Sequence, residues 1–303
     1  MFLSPTGFPA CPQRLKPLPL RGLAARLKPC PDERTGGSIR EGFWLPLATL
    51  WWRELVRFSR ERSRIVGLVA APFLFWLFLG SGLGQSFQPP SAPPGSGYLQ
   101  YFFPGTVVMI VLFASIFSNM SVIEDRREGF LQSVLVAPVS RASIVLGKVL
   151  CGATQAMAPG FLFLLLGPAV GLTLRPLQLL GLTGILFLIS FSLTGLGFVI
   201  AWWMDSTQGF HAVLNLVLIP MWLLSGALFP ASGASGWVQW VMRLNPLTYS
   251  VAALRQALHA PGATVGGEVA PLGLSLGITA LFGLATITVA LVGCGLPAVK
   301  SAG

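Results

Sequence analysis

Few residues in this 303-residue sequence are of types that do chemistry. Gly147-Lys148 comes nearest to a phosphate-binding loop, whose G-x-x-x-x-G-K-[ST] pattern wraps backbone amides and a lysine around a phosphate. Here Ala142 stands at the first glycine and Val149 replaces the hydroxyl, so the pattern fails. His211 and His259 have no cysteine or carboxylate cluster beside them. Cys11, Cys30, Cys151 and Cys294 lack CxxC or metal-ligand spacing. There is no HExxH, no GxSxG and no carboxylate pair within an apolar stretch. The expectation is a chain with no catalytic residues, no metal site and no cofactor of its own.

The most informative polar stretch is Glu124-Asp125-Arg126-Arg127-Glu128-Gly129, continuing through Phe130 and Leu131 to Pro138 and Arg141. Five consecutive charges lead into Phe130, Leu131, Val134 and Leu135, which share one helical face, and Pro138 ends the run. This predicts a short amphipathic helix with a charged start. The pattern suits a docking element for a partner, and equally a simple turn between two buried segments.

The elements that must position these residues are set by composition. Apolar residues make up 53% of the chain and charged residues 10%, against about 25% charged in an ordinary soluble domain. Mean hydropathy is +0.73. Uncharged blocks cover 65–123, 149–174, 176–204, 206–242 and 269–299. A soluble enzyme, a disordered regulator and a disulfide scaffold are excluded. The chain is an all-α polytopic membrane protein, because only internally hydrogen-bonded backbone crosses about 30 Å of hydrocarbon. Six spans are expected at Ile65–Gly84, Tyr101–Met120, Gly152–Leu172, Leu177–Trp203, Phe210–Leu228 and Leu272–Gly295. The Pro-, Gly- and Ser-rich stretch 85–97 separates the first two as a short exterior loop.

Of the 20 Lys and Arg residues, seventeen fall on one side of such a bundle when the amino terminus is cytoplasmic; only Arg175, Arg243 and Arg255 fall on the other. The excess of basic residues on inner loops predicts that both termini are cytoplasmic. The net charge of +10 follows from this topology and from anionic headgroups, without nucleic acid as a partner.

Residues 1–40, dense in Pro and Arg, read as a weakly ordered tail. Residues 41–64 follow as an amphipathic helix lying on the membrane surface. Leu47, Leu50, Trp51, Leu55 and Phe58 line one face; Arg53, Arg57, Arg60 and Arg64 line the other, while Glu54 and Glu61 fall nearer the apolar side. Residues 65–299 form the spanning domain, with a cytoplasmic loop at 121–148 and an outer segment at 229–260. The outer segment is too apolar for a watery loop and too interrupted for a span, so it is read as short interfacial helices or a re-entrant pair. Trp237 and Trp240 are its interface anchors, and Arg243 and Arg255 are expected at headgroups rather than at an anionic cargo. Gln155, Ser190, Ser192, Thr194, Asn215 and Ser225 could line a path or act as glue between helices, aided by Gly181, Gly184, Gly195 and Gly197.

Four motifs, in order and spacing, resemble the type-2 ABC transporter permeases, closest to the drug-export and nodulation-factor-export branches. They are Tyr101-Phe102-Phe103-Pro104-Gly105; Glu124 to Gly129 followed by Leu135 to Arg141 and Gly147-Lys148; Pro220 to Pro230; and Asn245-Pro246-Leu247-Thr248-Tyr249 ending at Ala253-Leu254-Arg255. The resemblance covers 43–296. It implies six membrane helices, an elbow helix before the first, and short outer helices between spans five and six. It also implies residence in the plasma (cell inner) membrane, a second permease copy, and a separate ABC-type ATPase subunit that binds ATP and Mg2+. By that resemblance Glu124, Asp125, Arg126, Arg127 and Glu128 make charged contacts to the ATPase. Phe130 and Leu131 are apolar anchors, with Gly129 and Arg141 in the same coupling element. The elbow residues Trp51, Arg53, Leu55 and Phe58 contribute to that contact, and spans one, two and five face the path. The outer segment, with Pro230, Trp237, Trp240, Asn245, Pro246, Tyr249 and Arg255, closes the exterior. An apolar path favours amphipathic or lipid-like cargo.

The expected function is therefore the permease subunit of an ATP-driven exporter. An energy-independent channel or secondary carrier is the alternative from a different class, opposed by the lack of carboxylates within spans. A membrane assembly or scaffold protein would also explain docking residues. A membrane enzyme lacks any nucleophile or metal set.

Overall fold

A computed structural model describes residues 44–60, 62–83, 97–129, 141–259 and 270–295, all within one compact unit, Gly42–Gly303. The tail expected at 1–40, and the loop at 85–97 except for Gly97, lie outside the described residues. The described residues form helices α1 (Trp44–Arg60), α2 (Arg62–Leu83), α3 (Tyr98–Arg127), α4 (Arg141–Leu164), α5 (Pro176–Trp203), α6 (Thr207–Leu223), α7 (Gly236–Leu244), α8 (Pro246–Leu258) and α9 (Leu272–Gly295). Short 3-10 turns cover Gly167–Val170 and Ala231–Gly233.

Five of these helices, α2, α3, α4, α5 and α9, are long and apolar enough to cross a membrane. The chain is an all-α polytopic membrane protein. At its centre stands α3, apolar on every side and enclosed without a break from Phe102 to Leu112, as a helix surrounded by others must be. It packs against α2, α4 and α5. Near the Tyr98 end, Trp76 and Phe103 meet Phe163 with ring centroids 5.6 and 5.1 Å apart, and the Trp76 indole donates to the Leu99 carbonyl at 3.1 Å. Helices α2 and α9 turn large apolar side chains outward, among them Phe78, Leu281 and Val292.

Three expected spans need correction. The second does not stop at Met120: α3 continues through Glu124, Asp125, Arg126 and Arg127, which form its last turn rather than opening a separate helix. Hydropathy marks where side chains leave hydrocarbon, but the backbone ladder propagates past that boundary. The third span begins at Arg141, so Lys148 lies inside a helix, and it ends at Leu164 instead of Leu172. The fifth, expected at Phe210–Leu228, is a 17-residue helix ending at Leu223, after which the chain turns through Gly226 in the left-handed region. The sixth runs from Leu272 to Gly295 as expected, and α5 starts one residue before the expected Leu177, with Pro176 at its first turn.

Candidate functional site

At one end of the bundle, α1 lies against α4, and the end of α3 packs on α4 as well. Their charged side chains meet in a small buried cluster. The Lys148 ammonium donates to Glu54 Oε1 at 2.9 Å and to the Asp125 carboxylate, and reaches Ser121 Oγ at 3.4 Å. The three charged side chains are 4%, 6% and 3% exposed, respectively. Arg53, half-exposed at the rim, donates to Glu54 Oε1 at 2.5 Å and Asp125 Oδ2 at 3.1 Å. Two cations therefore balance two carboxylates, the condition under which buried charge is tolerated. Burial alone raises the Glu54 carboxyl, but Lys148 and Arg53 outweigh it and hold it below the ordinary glutamate range. Burial alone lowers the Arg53 guanidinium, and Glu54 and Asp125 more than reverse that.

Uncharged contacts fasten the same joint. The Gln155 amide donates to the Glu54 carbonyl at 3.0 Å, the Trp51 indole to Thr154 Oγ1 at 3.3 Å, and the Cys151 thiol to the Trp51 carbonyl at 3.3 Å. Phe58 is buried and Leu55 half-buried, whereas Trp44 and Trp52 are exposed on the outer side of α1. Nearer the surface, Arg57 pairs with Glu124 at 3.0 Å.

The two arginines that follow reach the other way, to the connection between α5 and α6. Arg126 donates to the Trp202 carbonyl, to the Met204 carbonyl at 3.4 Å and to Asp205 Oδ1 at 3.5 Å. Its guanidinium also lies 5.2 Å over the Trp202 ring. Arg127 donates through Nε and Nη2 to the Asp205 carbonyl at 3.1 and 3.0 Å. These contacts satisfy carbonyls at and just beyond the α5 C-terminus, which have no partner within the helix.

The run expected to meet an ATPase through all its charges is thus largely engaged within the chain. Asp125 is enclosed, which removes it from any outward-facing surface, and Glu124, Arg126 and Arg127 brace neighbouring helices. Glu128 is exposed, and Gly129 turns the chain at φ +75°, a conformation that L side chains resist. Phe130 and Leu131 lie outside the described residues, as does the side chain of Arg141. Sequence reasoning missed Glu54, Lys148 and Gln155 as a joint. Its one available signal was the acidic Glu54 on the apolar side of α1.

At the opposite end, Arg255 is buried, contrary to the expected headgroup position. It donates to the Gly226 carbonyl at 2.9 Å and lies 4.2 Å over the Tyr101 ring. The carbonyl freed by the Gly226 turn and the ring of α3 supply a site that hydropathy could not reveal. Tyr98 and Tyr101 donate to the Leu228 and Gly226 carbonyls at 3.0 and 3.2 Å. Asn245 caps α8 by accepting from the Leu247 amide at 3.0 Å and donates to carbonyls at the end of α6, while Pro246 occupies the first turn. Tyr249 donates to the Arg243 carbonyl at 2.7 Å. Pro230 is buried ahead of the short 3-10 turn, and Trp237 and Trp240 project outward from α7.

Between the two ends, α2, α3 and α6 enclose an apolar groove of about 720 Å³, lined by residues including Phe75, Met109, Phe113, Phe117, Ile219 and Trp222. Most of the polar residues within the spans lie elsewhere and join helices. Ser192 donates to the Thr279 carbonyl at 3.1 Å, Thr194 to Ser115 Oγ at 3.3 Å, and Asn119 to the Thr194 carbonyl at 3.2 Å. Ser190 and Ser225 bond within their own turns. Gly195 and Gly197 allow close approach to Thr286 and Asn119, whereas Gly181 and Gly184 face open space, and Asn215 is exposed. Among the described residues there is no group of three or more His, Cys, Asp or Glu that could hold a metal.

The described residues thus form a multi-pass helical bundle with an apolar groove and an interlocked charged end. Residues 46–259 match the family described as ABC-2 type transporter, and the chain belongs to that family. It is similar to a putative transport permease, ycf38, of Cyanophora paradoxa, 28% identical over 74% of this chain and 78% of that protein. Nodulation protein J of Rhizobium meliloti is 26% identical over 75% of this chain and 84% of its own length. The daunorubicin resistance ABC transporter permease protein DrrB1 of Streptomyces coeruleorubidus is 24% identical over 69% and 73%. The protein is a membrane-spanning permease subunit related to ABC-2 type exporters, and not itself an ATPase.

Proposed function

We propose that this permease couples a separate ABC-type ATPase, loaded with ATP and Mg2+, to the export of an amphipathic or lipid-like cargo. Two copies, identical in the simplest assembly, sit in the plasma (cell inner) membrane with both termini cytoplasmic. In this reading α6 is the fifth of six passes, α1 is an elbow along the inner leaflet, and α7 and α8 close the exterior. The coupling element is the segment that connects α3 to α4, within 121–148, where exposed Glu128 and the anchors Phe130 and Leu131 meet the ATPase, together with Arg141. Glu124, Asp125, Arg126 and Arg127 act as braces behind it. Trp51, Arg53, Leu55 and Phe58 hold the elbow against α4 rather than touching the partner directly. The apolar lining of the groove supports the amphipathic or lipid-like cargo.

The observation that carries this reading is the interlocked charged end, in which α1, α3 and α4 share one buried ion cluster directly behind the Glu128–Gly129 turn. A force applied at that turn is delivered to several helices at once. Co-purification from lipid with the cognate ATPase tests it. Wild-type permease retains the ATPase, and a folded Phe130→Asp, Leu131→Asp variant loses it. Equal retention by both would overturn the docking assignment. Transport in liposomes without ATPase or ATP would favour the carrier alternative.

A further inference from the structure

We infer that Arg126 and Arg127 are positioning residues that transmit movement of the ATPase-facing turn to α6, the outer wall of the apolar groove. This rests on the coupling role proposed above and specifies its route. The path begins at Glu128–Gly129, one residue beyond the arginines. It passes through their guanidinium groups to the Trp202, Met204 and Asp205 carbonyls. Met204, Asp205 and Ser206 make up the whole connection from α5 to α6, whose first turn is capped by Ser206 accepting from the Gly209 amide at 3.0 Å. Met204 and Ser206 are extended, with ψ of 134° and 141°, on either side of a bend at Asp205, so a pull on the Asp205 carbonyl reaches α6 through one intervening residue.

Helix α6 is the member of the bundle best suited to move. Its buried residues, Phe210, Leu214, Leu218 and Trp222, recur every fourth position and form one narrow stripe. Leu216 and Val217 face away from the chain. By contrast α3 is enclosed on all sides. The far end of α6 is tethered by the Trp222 indole donating to the Gly105 carbonyl at 2.9 Å. A helix held at its ends and along a single stripe can tilt or slide as a unit, widening or narrowing the groove it lines with α2 and α3. The two acidic residues at the same level, Glu124 and Asp125, point to α1 and α4. The same helical turn is therefore anchored on one side and grips a movable helix on the other. The Arg127 grip is made to a backbone carbonyl and depends on guanidinium geometry, while Arg126 adds the Asp205 carboxylate and the Trp202 ring to its carbonyl contacts.

The test uses the permease bound to its ATPase in lipid, with spin labels at Leu216→Cys on α6 and Leu281→Cys on α9, other cysteines replaced, and labelled copies diluted with unlabelled ones. In the wild type the inter-label distance changes between the nucleotide-free state and ATP bound to a hydrolysis-deficient ATPase. In Arg126→Gln, Arg127→Gln the ATPase still binds, the distance change disappears, and transport per ATP hydrolysed falls by about tenfold or more. Arg126→Lys, Arg127→Lys, which keeps charge and donors, recovers part of both. A purely structural role would lower yield without altering transport per ATP. If the double Gln variant does not fold, Arg127→Lys alone must shrink the distance change, because one ammonium cannot reproduce the paired Nε and Nη2 contacts. An unchanged distance shift in a Gln or Arg127→Lys variant, or no shift in a wild type that binds its ATPase, overturns the route. A wild type that fails to bind any ATPase fails the coupling role first, and the route with it.

Discussion

Replacing Lys148 with Met removes the cation shared by Glu54 and Asp125. Both carboxylates stay buried, so the variant must hold two enclosed negative charges with one cation at the rim. Removing one partner of a buried ion pair costs about 3–5 kcal/mol. Arg53 remains at 2.5 and 3.1 Å from the two carboxylates, which favours the lower end, about 3 kcal/mol. At ~1.4 kcal/mol per factor of ten, the population with α1 detached rises on the order of a hundredfold. Cys151 provides a native reporter, since the residue is 1% exposed and its thiol donates to the Trp51 carbonyl. A membrane-permeant maleimide, read by mass spectrometry of the Cys151 peptide, should label Lys148→Met roughly a hundredfold faster than wild type. Adding Glu54→Met restores charge balance to the remaining Arg53–Asp125 pair and should recover about 1–3 kcal/mol through coupling. A labelling rate within about threefold of wild type, or strictly additive costs in the double variant, would refute the cluster as the fastening of α1.

Other consequences are smaller or pH-dependent. Glu54 sits below the ordinary glutamate range in the folded protein. Its stabilising contribution is therefore complete above the unfolded carboxylate value of about 4.3 and is lost as pH falls through the depressed folded value; thermal stability measured from pH 7 to 4 should show no Glu54-dependent loss until the acid end. The Arg57–Glu124 pair is exposed, 45% and 39%, so Glu124→Gln should change stability by no more than about 1 kcal/mol in the same melts. Gly129→Ala places a methyl group on a residue at φ +75° and should cost about 1–2 kcal/mol. At Gly105 an added methyl would sit 2.6 Å from the Ala227 Cβ. Gly105→Ala should thus lower the melting midpoint, because the added methyl also meets the Ala227 backbone, which puts the strain at about 2–3 kcal/mol, above the ~1 kcal/mol gained in helix propensity.

The parts of this fold that were legible in the sequence are those where side-chain polarity tracks solvent. Runs such as Leu272–Gly295 and Leu177–Trp203 carry no charge and are apolar along most of their length, and their ends coincide with the observed helices to within a residue. The end of α3 was not legible. Its last turn carries Glu124 to Arg127, and those charges are absorbed by partners far away in sequence, Lys148 by 23 residues from Asp125 and Asp205 by 78 from Arg127. Periodicity is local and carries no information about such pairings. The same holds for Arg255, whose burial depends on a turn at Gly226 that lies 29 residues earlier. Glu54 marks the boundary between the two cases. Its place on the apolar face of α1 was visible as a misfit, but the reason for it exists only once α4 brings Lys148 within 2.9 Å. The family was legible from four motifs taken as a set, and the resemblance read over 43–296 agrees with the match over 46–259.

The central claim is that this permease uses energy delivered at the Glu128–Gly129 turn by a separate ATPase. The most direct test measures ATP hydrolysis and cargo-stimulated turnover in the same proteoliposomes, with the cognate ATPase alone, with wild-type permease, and with Phe130→Asp, Leu131→Asp. The account predicts that wild type alters ATP turnover and makes it respond to amphipathic compounds, and that the folded double variant does neither. Turnover indifferent to the permease, or equally responsive with the docking anchors reversed in polarity, would contradict it.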